Sequence, residues 1–191
     1  MEKDEFLYRF NLMQHGKSCH NYQHHLPLKS AAVLIALVNN RDTNCLDVLL
    51  TKRASHLKHH PSQISFPGGK VEPTDKSLIH TALREAHEEI GLPSSAVSIV
   101  GQLANYEIIS GYQVTPIVAV IESPQYYQKD ANEVDEIFQV PLQYFLQEKN
   151  HRSIIFYRNG HHHNVHFFPY KHYNIWGATA AMLKDLAEHI K

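Results

Sequence analysis

The chain has 191 residues, 43% of them hydrophobic, with 18 Lys and Arg against 19 Asp and Glu and a net charge of −1. That length suits one ordinary domain with a full core, and that hydrophobic share excludes a disordered chain. The balanced charge gives no basic footprint for nucleic acid, so a small anionic partner has to be held by a local site.

Phe6, Leu7, Phe10 and Met13 predict a short amphipathic helix at the start. Residues 1–30 read as that helix and a lead-in, and 31–191 as one domain. Residues 31–38 are an unbroken apolar run, which predicts a strand buried on both faces. Asn39 to Asp42 carry turn chemistry before a second strand at 48–52. Strands are expected at 98–104 and 113–121, with Pro116 marking an edge or a bulge in the latter. A strand at 136–140 and a short helix at 141–147, with Pro141 in its first turn, follow. Asn159-Gly160 signals a hairpin turn between 154–158 and 165–168, so His161, His162 and His163 are expected on an exposed turn. A helix from about 175 to 190 closes the chain, with Ile175, Ala178, Met182, Leu183, Leu186 and Ile190 as its core stripe.

The segment 77–90 is the most informative. Thr74 and Asp75 are N-cap candidates, and Gly91 with Pro93 is a stop signal. Ile79, Leu83, Ala86 and Ile90 form a narrow apolar stripe, the expected core face. Glu85, Glu88 and Glu89 fall opposite, within an arc of about 100°. A solvated acidic face is the plain alternative. Against it, Glu85 and Glu89 are like charges four apart, costing roughly 0.2–0.5 kcal/mol. They also lie where the helix dipole disfavours anions. Local chemistry set against itself marks a site, and crowded carboxylates suit a hard divalent cation that meets phosphate. Glu85 and Glu89, one turn apart, are the best pair for magnesium or manganese, with Glu88 next. Arg84 is placed to orient a carboxylate. Gly68 and Gly69 allow a tight turn and close backbone approach.

Two cysteines, Cys19 and Cys45, make no disulfide framework. The start lacks a basic, apolar leader, and no stretch is long enough to span a bilayer, which favours the cytoplasm. The aromatic, apolar C-terminal part can pack internally or across a homodimer.

Gly69, Arg84, Glu85, Glu88, Glu89, Gly91 and Leu92 resemble the Nudix box, G-x5-E-x7-R-E-U-x-E-E-x-G-U, where U is a bulky aliphatic residue. Asp75 replaces its first Glu, eight residues rather than seven separate it from Arg84, and Ala86 is small for its position. Residues 49–54 and 57–69 resemble the longer signature of the coenzyme A diphosphatase subgroup, with Ser62 where that pattern has Gly. Further matches lie at 111–116, 133–134, 141–142 and 175–180, so the resemblance runs from about Ala31 to Leu186.

The resemblance implies an α/β fold, the Nudix α/β/α sandwich with a mixed β-sheet between helices. It implies metal-dependent splitting of coenzyme A into 3′-phosphoadenosine 5′-phosphate and 4′-phosphopantetheine. Glu88, Arg84 and Glu133 are then the catalytic candidates, Glu133 as the late acidic residue that serves as base or extra ligand. Lys52, Arg53 and Lys58 are candidates for the 3′-phosphate, and Tyr112 stacks on adenine or packs in the core. His59 and His60, inside the signature, touch phosphate or shape a loop. Other nucleoside diphosphate derivatives (nucleotide sugars, dinucleotides, nucleoside triphosphates) are the alternative substrates. A non-catalytic ligand-binding module is the remaining alternative, disfavoured by the intact glutamates.

Overall fold

A computed structural model describes residues 1–12, 27–122, 126–158 and 161–191. Met13 lies outside them. In chain order the elements are α1 (Lys3–Leu12), β1 (Lys29–Asn40), β2 (Cys45–Arg53), β3 (Ile64–Ser65), β4 (Gly68–Lys70), α2 (Leu78–Ile90), β5 (Val97–Gln102) and β6 (Tyr106–Ile108). Then come β7 (Tyr112–Ile121), β8 (Val134–Pro141), α3 (Leu142–Leu146), β9 (Arg152–Arg158), β10 (His161–Tyr170), β11 (Tyr173–Trp176) and α4 (Gly177–His189).

The apolar run of β1 sits at the centre because both of its faces can be buried. Ile35 and Leu37 join Val48, Leu50, Val118 and Val120 on one side, where α1 and α4 pack. Ala32, Leu34, Ala36 and Val38 join Leu49, Ile117 and Ala119 on the other, against Ala82, Ala86 and Ile90 of α2. This alternation makes a sheet with helices on both faces. β1 runs parallel to β7 and antiparallel to β2 and β4, so the sheet is mixed. β9, β10 and β11 form a separate three-stranded sheet.

The predicted helix at the start is α1. Its Phe6 and Phe10 are buried in the same core cluster as α4. The His189 Nε2 hydrogen bond to the Phe10 carbonyl, 2.9 Å, and two from Arg9 to the Ile190 and Lys191 carbonyls fasten α1 to α4.

Several expectations are corrected. Pro116 lies in an interior strand, between β1 and β5. It is tolerated because its carbonyl, and hence its missing N–H, faces the break between β5 and β6, where Leu103 N donates to it at 3.0 Å. His162 and His163 are not on a turn: β10 already pairs with β9 at these positions, so the hairpin is tighter than its composition suggests. The turn residues 159–160 lie outside the described residues. Ile175 belongs to β11, opposite Phe168, and α4 starts after Trp176. Pro141 stands at the N-cap of α3 rather than in its first turn.

Candidate active site

α2 is capped by Ser77, whose Oγ accepts from His80 N at 3.1 Å, not by Thr74 or Asp75. Gly91 ends it in the left-handed conformation, with φ of 67°. The buried arc of α2 is also rotated from the expected stripe, by roughly 80° toward the glutamates at 100° per residue. Ala86 and Ile90 are buried as expected, and Leu78, Thr81, Ala82, Glu85 and Glu89 turn inward with them, while Ile79 is 39% exposed. Under a close-packed sheet, alanines fit where Ile79 and Leu83 cannot.

Asp75 became free for other work. Its carboxylate is fully shielded and accepts from Arg84 Nε and Nη2 at 3.0 Å each, Thr81 Oγ1 at 3.0 Å, His80 Nδ1 at 2.9 Å and the Glu72 backbone at 2.9 Å. The Arg84 guanidinium holds the Asp75 carboxyl far below the usual carboxylate range. Arg84 in turn donates to Glu85 Oε1 at 3.0 Å, Glu88 Oε2 at 2.9 Å and the Lys70 carbonyl at 3.1 Å. One cation thus fixes the 70–75 loop to the helix and aims two glutamates. Asp75 stands where the box has its first Glu, and its bidentate contact with Arg84 is what it does there.

Glu89 is 3% exposed, the most buried of the three glutamates. Burial raises its carboxyl to about 8, opposed by Arg53 and abetted by the negative charges of Glu85 and Glu133. The Gly68 backbone N–H donates to it. Arg53 Nη1 stands 4.0 Å from Glu89 Oε1, and Glu89 Oε2 is buried without a hydrogen-bond partner. Burial also raises Glu85, with Arg84 opposing. Glu88 projects from the rim, with its side chain 54% exposed. An orphaned, buried carboxylate oxygen beside a second carboxylate is a donor set that suits a hard cation. Among the described residues no three His, Cys, Asp or Glu side chains already cage one point. Magnesium and manganese keep waters and take phosphate oxygens, so an oxygen-only pair fits them.

The structure brings Arg53, Gly68, Gly69 and Glu133 to these glutamates. A Cβ on Gly69 would lie 2.4 Å from Glu85 Oε1, so glycine lets the strand pass that close without displacing the carboxylate. Glu133 is on an exposed loop that is tied down on both sides: its carbonyl accepts from Ala54 N at 2.9 Å, and its N–H donates to Asp130 O at 3.0 Å. Asp130 N also donates to the Glu89 carbonyl at 2.9 Å, a link that no motif signalled. Lys52 follows Leu50 in the strand alternation, on the side away from α2. Lys58 and His59 are exposed on the loop before β3. His60 Nδ1 donates to Gln63 Oε1 at 2.9 Å, which gives it a loop-shaping contact. Tyr112 is half-buried, paired with Lys29 and Ile108, and packs on the α4-side core.

The NUDIX domain family model matches residues 28–181. The chain is 42% identical over 187 residues to NudL of Enterobacter sp. (strain 638), described as an uncharacterized Nudix hydrolase, covering 98% of this chain and 94% of that one. It is 39% identical, at the same coverage, to the protein of that description in Cronobacter sakazakii. Among solved structures, a MutT/nudix family protein from Enterococcus faecalis superposes with a TM-score of 0.53 at 15% identity, over 98% of this chain and 68% of that one. The Nudix hydrolase RenU of M. smegmatis gives 0.52 at 21% identity, over 67% and 80%. At those identities the likeness speaks for the fold. The chain is therefore a hydrolase of diphosphate bonds in small-molecule substrates. It belongs to the Nudix family, whose members generally work with divalent metal ions. No helix among its described residues is long and apolar enough to cross a membrane.

Proposed function

We propose that this hydrolase splits the diphosphate of coenzyme A or its derivatives, releasing 3′-phosphoadenosine 5′-phosphate and 4′-phosphopantetheine, with magnesium or manganese. The observation that carries the reading is the folding of the signature run 49–69 around the glutamates. Arg53 reaches Glu89, Gly68 N–H donates to Glu89, Gly69 passes against Glu85, and Gln63 O accepts from Arg53 N at 2.9 Å.

Glu85 and Glu89 hold the ion in this reading, and Glu88 at the rim holds a further ion or its water. A divalent ion there supplies Lewis-acid polarisation of a phosphoryl oxygen and a more acidic water. Arg84 keeps Glu85 and Glu88 pointing the same way. Glu133, on its tied loop, accepts the proton of the attacking water. Arg53 places a positive charge where the leaving phosphate gains negative charge. Lys52 and Lys58 remain weaker candidates for the 3′-phosphate, and Tyr112 for adenine.

Incubation with coenzyme A and with a panel of dinucleotides, nucleotide sugars and nucleoside triphosphates tests the substrate. Coenzyme A should be turned over best, with the two products in equal amounts. Equal or better turnover of the panel removes the coenzyme A assignment. Glu89→Gln should cut turnover by at least about 10²-fold with the fold intact; near-normal activity removes the metal role.

A further inference from the structure

The three-stranded sheet leaves one of its edges open. β9 pairs on one side with β10, and among the described residues nothing pairs with its other side. Along it Ile154, Ile155, Phe156 and Tyr157 are each 59–67% exposed. Successive strand residues point to opposite faces, so Ile154 and Phe156 line one face and Ile155 and Tyr157 the other. Native edge strands are blunted by a proline, a bulge or a charge that blocks further pairing. Residues 153–157 hold no proline and no charge, and their pairing with β10 runs without a register shift.

We infer that β9 is a dimer interface, in which two copies of this chain pair antiparallel through this edge and make one six-stranded sheet. The inference stands apart from the substrate proposed above. A two-fold contact needs one patch that complements itself, and this strand meets that condition. With the axis at Ile155, Ile154 lies opposite Phe156 of the partner subunit on one face. A β-branched side chain against an aromatic one is a cross-strand pair that stabilises a sheet. On the other face Ile155 meets Ile155 of the partner subunit, and Ser153 meets Tyr157 of the partner subunit. The register within each copy widens both stripes, with Val165 beside Ile154, His163 beside Phe156 and Asn164 beside Ile155.

The area agrees. These four side chains expose roughly 500 Å² on one copy, at the upper end of the apolar patch that a monomer carries. Two copies bring about 1,000 Å² together before the backbone edges are counted, which is the size at which a specific contact separates from an incidental one. At each end the register sets Arg152 opposite Arg158 of the partner subunit, like charges that oppose the pairing until salt screens them. Phe168 and Ile175 anchor this sheet in the core on the α4 side, whereas α2 with its glutamates packs on the opposite face of the central sheet. The active site therefore stays open in the dimer.

Sedimentation velocity of the full chain from about 1 to 100 µM tests the inference. A species of twice the chain mass should grow with concentration and with added sodium chloride. A monomer throughout, or a dimer that loosens as salt rises, overturns it, and the edge would then belong to a strand of another protein. Ile155→Lys and Ile155→Glu change an exposed residue that faces its own copy across the axis. Each variant alone should be monomeric, with the circular dichroism of the parent. Mixing the two should restore the dimer, because Lys then faces Glu. Single variants that stay dimeric, or a mixture that stays monomeric, overturn the pairing. Hydrogen exchange needs no variant: protection of the amides of residues 153–157 should rise with protein concentration. Protection indifferent to concentration overturns it as well. None of these readouts uses coenzyme A, so the proposed function stands or falls separately.

Discussion

Glu89 should make the metal-free protein less stable as pH rises, which is the reverse of ordinary carboxylate behaviour. Its carboxyl is raised from 4.5 to about 8 in the fold. Between those values the folded protein keeps the proton and the unfolded chain has lost it. The folded state binds more protons there, so the free energy of unfolding falls with pH. Each unit costs about 1.4 kcal/mol. Water reaching the open side of the site trims the total to roughly 2–4 kcal/mol across the window. Glu89→Gln has no proton to lose. In EDTA its stability should match the parent near pH 5 and exceed it by that amount at pH 8, although its turnover is lost. Urea melts of both proteins at pH 5, 6, 7 and 8 measure the difference, which removes every other titrating group. Manganese should then rescue the parent at pH 8 and leave the Gln variant unmoved. A difference that stays constant from pH 5 to 8 refutes the buried, uncompensated carboxylate on which the site depends.

Asp75→Asn should cost about 3 kcal/mol at pH 7, because it strips the partner from a shielded Arg84. The contribution is complete above the ordinary carboxyl value of 3.8 and is lost as pH falls below it toward the depressed folded value, so the melts of parent and variant should converge in acid. Gly69→Ala would place a Cβ 2.4 Å from the Glu85 carboxylate, which can swing away. Its melting should barely change while manganese affinity falls roughly 10- to 100-fold in a metal titration. Gly68→Ala instead meets backbone, the Ala32 carbonyl at 2.5 Å and Val33 Cα at 2.6 Å, and should lower stability by about 2 kcal/mol in the same melts. Ile79→Ser, on the exposed side of α2, should change stability by less than about 0.5 kcal/mol.

The central strand and the glutamate helix were legible because their signals are local. Period-two burial reads directly from an apolar run such as β1, and a carboxylate pair one turn apart reads directly from spacing. Pairing was less legible, because it depends on what lies across the sheet. Pro116 looked like an edge or bulge residue, yet the break between β5 and β6 lets it sit inside. Ser62, where the family pattern has Gly, adopts a left-handed φ of 59°, a strain that the substitution hinted at but did not locate in a fold.

The largest misreading was the face of α2, and its cause bears on function. Hydrophobicity points to Ile79, Leu83, Ala86 and Ile90; Ala86 and Ile90 are buried as expected, but in place of the two larger residues the sheet accepts Ala82 and, at the centre of the same arc, Glu89. A rule that places apolar residues inward cannot foresee a carboxylate at the middle of a buried face. The fold meets that burial cost by keeping the Glu89 carboxyl protonated up to about 8, or by giving its anion partners other than water. Arg53 at 4.0 Å and one backbone N–H supply part of that, and Oε2 has no protein partner. The rotation of the helix and the unmet oxygen therefore belong together: the turn that brings Ala82 and Ala86 onto the sheet also carries Glu89 inward, and in the proposed reading a cation completes its carboxylate.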